Sequence, residues 1–114
     1  MEQVKIHMLL PRSVLSSRDS ARSIATEIVD AVRRATDGLE LDLKDVLGMA
    51  PSFFDELLTI IDEASESLGN QTPRIVVSHP PSRLAEKHHA VCRGHGLGIS
   101  ENEEGDWLIT QAHQ

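Results

Sequence analysis

The chain has 114 residues, 39% of them apolar and 25% charged, the size and balance of one globular unit, so residues 1–114 are read as a single domain. A formal net charge of −7 lacks the clustered positive field that nucleic-acid phosphates or an anionic lipid surface require, and neither is expected as a partner. A single cysteine, Cys92, excludes an internal disulfide and suits a reducing compartment, so a cytoplasmic location is expected.

The first apolar stretch alternates Val4, Ile6, Met8 and Leu10 with Lys5 and His7 and ends at Pro11, a period near two that predicts a half-buried strand. It is too short and too interrupted for a signal sequence or a membrane span. Ser16, Ser17 and Asp19 supply helix-start chemistry. Ile24, Ile28 and Val32 then recur at helical spacing, which predicts one helix over 18–35 that stops at Thr36-Asp37-Gly38. Leu39, Leu41 and Leu43 alternate with Glu40, Asp42 and Lys44, giving a second strand with an acidic outer face, followed by a loop over 45–50. From Pro51 onward, Phe53, Phe54, Leu57, Leu58, Ile61, Ala64 and Leu68 form one apolar stripe on a helix closed by Gly69-Asn70.

Ile75-Val76-Val77 is a β-branched run suited to a central strand, and His79-Pro80-Pro81 ends it. Ser82 is read as opening a third helix that carries Leu84, Ala85, His88, Val91 and Cys92. Gly94, Gly96 and Gly98 close it, 99–105 crosses over, and Trp107-Leu108-Ile109 is the last strand. Helical crossovers favour parallel pairing, and alternation in the first two strands leaves one sheet face partly open. The expected fold is therefore α/β, with a single four-stranded, mostly parallel sheet and about three helices packed mainly on one face.

The segment Leu41-Asp42-Leu43-Lys44-Asp45-Val46-Leu47-Gly48-Met49-Ala50-Pro51-Ser52-Phe53-Phe54-Asp55-Glu56-Leu57 resembles the central strand, loop and helix start of STAS domains. The likeness is closest to the uncharacterised bacterial STAS-like group, through Pro-Ser-Phe followed by Asp-Glu-Leu, and it extends from about Ser16 to Thr110. In bacterial anti-sigma factor antagonists of that family, an Asp, two Ser and a Gly open the helix, and a partner serine kinase that is also the anti-sigma factor phosphorylates the second Ser. Ser52 matches that position, while Ala50 and Phe53 stand where the pattern has Asp and Gly. The resemblance implies a protein-binding regulatory module with a kinase-like ATPase or anti-sigma factor as partner. Ser52 is then the phosphoacceptor, Met49, Ser52, Phe53, Phe54, Asp55 and Glu56 form the contact surface, and Phe53 or Phe54 is an anchor if exposed.

Ser52 followed three residues later by Asp55 also fits a capping-box-like helix start, in which the hydroxyl only satisfies a backbone N–H. Asp42, Asp45, Asp55 and Glu56 read as a solvated acidic rim, the last two in the first turn of the helix where they suit its dipole. The rival reading is a small metal- or ligand-binding domain using His88, His89, Cys92 and His95, whose spacing places three of them on one helix face. A third is a structural adaptor without a switch. No Walker loop, nucleophile elbow or His-Glu metal helix occurs, so neither catalysis nor a cofactor is expected.

Overall fold

The computed structural model describes residues 14–15, 18–35, 38–44, 46–69 and 72–112. The strand expected from Val4 to Leu10, and Asp45, lie outside the described residues. In chain order the elements are β1 (Val14–Leu15), α1 (Arg18–Arg22), α2 (Ala25–Arg34), β2 (Leu39–Asp42), β3 (Gly48–Met49), α3 (Pro51–Ser67), β4 (Ile75–Ser78), α4 (Glu86–Gly94), β5 (Leu97–Glu101) and β6 (Trp107–Gln111).

The four-stranded sheet has the order β2-β4-β6-β5 and is mixed. β2 and β4 pair in parallel with Leu39 opposite Ile75, whereas β4–β6 and β6–β5 are antiparallel. The expectation of a mostly parallel sheet is thus corrected. The cause is β5, a strand where a crossover was expected, which turns back through Asn102–Gly105 to form a hairpin with β6. The Asn102 side-chain oxygen accepts the backbone N–H groups of Glu104 and Asp106, and Gly105 adopts φ +87°, the left-handed conformation such a turn needs. β1 and β3 form a separate two-residue parallel pair.

One row of side chains explains the layering. Leu39, Ile75, Ile109 and Ile99 are register partners and buried, as are Leu41, Val77 and Trp107. The alternate row, Glu40, Val76, Leu108 and Ser100, is half-buried or exposed, so one face carries the core. α3 buries Phe53, Phe54, Leu57, Leu58, Ile60, Ile61 and Ala64, and it packs against α1, α2 and α4. The helix expected over 18–35 is broken at Ser23–Ile24, where Ile24 donates to Ala21 three residues back. The break lets Ala21 of α1 and Ile28, Ala31 and Val32 of α2 all enter the core while both helices lie on α3. α4 starts at Glu86 and not at Ser82, since Pro80-Pro81 and an extended Ala85 delay it.

Candidate functional site

The start of α3 differs in detail from the expectation. Ala50 is the N-cap, in extended conformation and with no side-chain cap, and Pro51 follows at the first helical position. Ser52 is therefore the second helical residue, half-buried, and the capping-box assignment falls. Phe53 and Phe54 are fully buried, so neither is an anchor for a partner. Their place on the surface is taken by Leu47, 77% exposed, just ahead of half-buried Met49. A Val-Leu pair ahead of a glycine in a short loop was the available signal, because Val46 turns into the core and its neighbour must turn out.

Asp55 and Glu56 lie in the second turn of α3, and ion pairs occupy both. Arg18 reaches Asp55 at 2.7 Å and Glu56 at 3.3 Å, and Arg22 reaches Glu56 at 2.5 Å. His95, capping the C-terminus of α4, places Nε2 2.7 Å from Asp55. The bond from Arg18, followed by that from His95, holds the Asp55 carboxyl below the usual carboxylate range. Glu56 is buried, so the expected partner rim is instead a joint between α1, α3 and α4.

The His88, His89, Cys92 and His95 group is dispersed. His88 is buried with its ring centroid 4.4 Å from that of Trp107, and its Nδ1 accepts the Ala85 N–H at 3.0 Å. Desolvation lowers its pKa below 6.5. Cys92 is fully buried, and burial pushes its thiol up to about 11. His89 is half-buried, and His95 faces Asp55. Among the described residues no group of three or more His, Cys, Asp or Glu side chains is placed to hold a metal ion.

A second constellation lies at the carboxyl ends of β2 and β4, where open α/β sheets present ligand sites. Asp42 is only 4% exposed, which corrects its assignment to a solvated rim. Its Oδ1 accepts the Lys44 backbone N–H at 2.9 Å and lies 2.9 Å from His79 Nδ1. His79 follows β4 directly and adopts φ +52°, a left-handed conformation that is uncommon outside glycine and is found where tertiary contacts fix it. The ring is largely exposed and borders a cleft of about 650 Å³ between 78–83 and the turn at 101–106. Sequence reasoning took His79 only as a strand terminator. The signal was that it and Asp42 both stand at the ends of predicted adjacent strands.

With this geometry defined, comparisons with protein-family models, curated proteins and solved structures return no match for the chain. The fold is α/β with a four-stranded mixed sheet, and no helix among the described residues is long and apolar enough to cross a membrane.

Proposed function

We propose that the chain is a protein-binding regulatory module of STAS-like type whose docking surface is the loop from Val46 to Ser52. The observation carrying this reading is the exposure of Leu47, a large apolar side chain held out at the entry to α3 beside half-buried Met49. An isolated leucine at that exposure contributes nothing to the core, and burial against a partner would remove its apolar surface from water. Ser52 stands five residues on, within the first turn of a 17-residue helix. A phosphate there would lie at the positive end of the helix dipole and would add close to two negative charges to the same surface. The resemblance supplies the partner class, a kinase-like ATPase or anti-sigma factor, and the single cysteine suits a cytoplasmic setting.

The test is affinity capture from lysate of the source organism with wild type, Leu47→Ser and Ser52→Glu as baits, with phosphate mapped on the recovered wild-type protein. A kinase-like regulator retained by wild type and lost by both variants supports the proposal, given that exposed substitutions such as Leu47→Ser shift stability by no more than about 0.5 kcal/mol. Equal partner sets on all three baits would overturn it.

A further inference from the structure

We propose that the cleft beside the Asp42–His79 pair is a binding site for a cationic, donor-rich group, a primary ammonium or a guanidinium, with His79 Nε2 as an acceptor. The inference is independent of the docking surface. A carboxylate can only accept, so in the neutral imidazole the proton sits on Nδ1, facing Asp42 at 2.9 Å, and the Nε2 lone pair is left for a ligand. Asp42 is buried at the end of β2 and is also held by the Lys44 N–H, so the ring is fixed from inside the protein.

The remaining lining decides what chemistry the cleft accepts, because its four carboxylates, Glu101, Glu103, Glu104 and Asp106, outnumber its one guanidinium, Arg83. Pro80 and Pro81 have no N–H to offer. In the facing turn the N–H groups of Glu104 and Asp106 bond the Asn102 side chain, and that of Gly105 bonds the Asn102 carbonyl. The Ser82 hydroxyl donates to the Arg83 carbonyl. Arg83, its side chain 93% exposed, lies 3.6 Å from Glu101, beyond hydrogen-bond reach, and the other Glu101 oxygen accepts the Leu84 N–H. With the Asp42–His79 pair and Arg83 on one side, the cleft is lined on the other by Glu103, Glu104 and Asp106. The acidic turn alone is a solvated surface. The fixed imidazole acceptor on the opposite wall makes it a cleft with two complementary sides.

The strand register builds the arrangement. Asp42 is paired with Ser78 across the parallel β2–β4 ladder, so the residue after β4 emerges beside Asp42. The antiparallel β4–β6 pairing then brings the hairpin turn to the same end of the sheet.

The experiment is a titration at pH 8 and 150 mM salt, followed by long-range 1H–15N correlation of the histidine side chains and by backbone amide shifts. Spermidine and the blocked peptide Ac-Gly-Arg-Gly-NH2 are the probes, separating a free polyamine from a peptide side chain as the source of the cation. The free protein should show His79 with Nδ1 protonated. One probe should produce saturable shifts at His79 Nε2 and at the 101–106 amides, and His79→Ala should weaken its binding about tenfold, as expected for losing a hydrogen bond to a charged group. Because His79 is exposed, His79→Ala is the variant that keeps the fold, and Asp42→Asn serves as the second, read by loss of the fixed tautomer with the backbone spectrum intact. Overturning results are Nε2 protonated in the free protein, no saturable shift with either probe, or equal binding by wild type and His79→Ala, which would reduce the cleft to diffuse charge attraction.

Discussion

Installing a side-chain cap on α3 is the most direct test of how the helix start is built. Ala50 has φ −74° and ψ 150°, the extended geometry of an N-cap, and its carbonyl already accepts the Phe54 N–H at 3.1 Å. A serine oxygen at residue 50 would reach the N–H of Phe53, the third helical residue. Replacing alanine by serine at an N-cap contributes about 1 kcal/mol. With an unfolding entropy of about 2.1 cal/mol/K per residue, a 114-residue chain should gain about 4 °C in Tm from Ala50→Ser. Scanning calorimetry at pH 7 on wild type and Ala50→Ser reads this directly, the two proteins differing by one oxygen atom. An unchanged or lowered Tm would refute the reasoning, since it would mean that the N–H group of Phe53 is already satisfied or that residue 50 is not the cap.

Three further expectations follow from titratable groups whose pKa the fold shifts. The His88 pKa lies below its ordinary 6.5 because burial disfavours the imidazolium, so stability is full above pH 6.5 and falls as pH drops below it, where the unfolded chain takes up a proton that the folded chain refuses. Urea unfolding between pH 7 and 5 should show that slope in wild type and not in His88→Gln, which keeps an acceptor for the Ala85 N–H without titrating. At lower pH, Asp55, depressed by Arg18 and then by His95, contributes stability above pH 3.8 that is lost as pH falls through its folded pKa, and Asp55→Asn should flatten that limb of the acid titration. The Cys92 thiol, fully buried and raised to about 11, should react with a disulfide reagent at pH 8 only at the rate of unfolding, and stoichiometrically in 6 M guanidinium; fast labelling of the native protein would place the thiol at the surface.

The elements that could be read from the sequence are those with unbroken periodicity. Leu39 to Asp42 and the long apolar stripe from Pro51 fall where their spacing puts them, because burial against one core imposes the same period the chain displays, and Ile75 to Ser78 falls where its β-branched run does. β5 was hidden by composition. Gly98 sits at its second position and Gly96 just before it, residues that argue against a strand locally, although Leu97 and Ile99 keep the alternation and Asn102 with Gly105 marks the turn. The break between α1 and α2 has no strong local signal at Ser23 and Ile24, and it arises from the need of two short helices to reach α3.

The two sites differ in legibility for a related reason. The approach to α3 is contiguous in sequence, so a motif could locate it, but side-chain direction decides which of its apolar residues meets a partner, and direction reverses within one residue between Val46 and Leu47. The Asp42–His79 pair spans 37 residues and exists only through register. Pairing Leu39 with Ile75 carries Asp42 to Ser78 and sets His79 one step beyond, whereas a shift of a single residue would flip Asp42 to the opposite face of the sheet from its present partner. The buried row Leu39, Leu41, Ile75 and Val77 holds that register, so the same hydrophobic alternation that builds the core also fixes the polar pair above it.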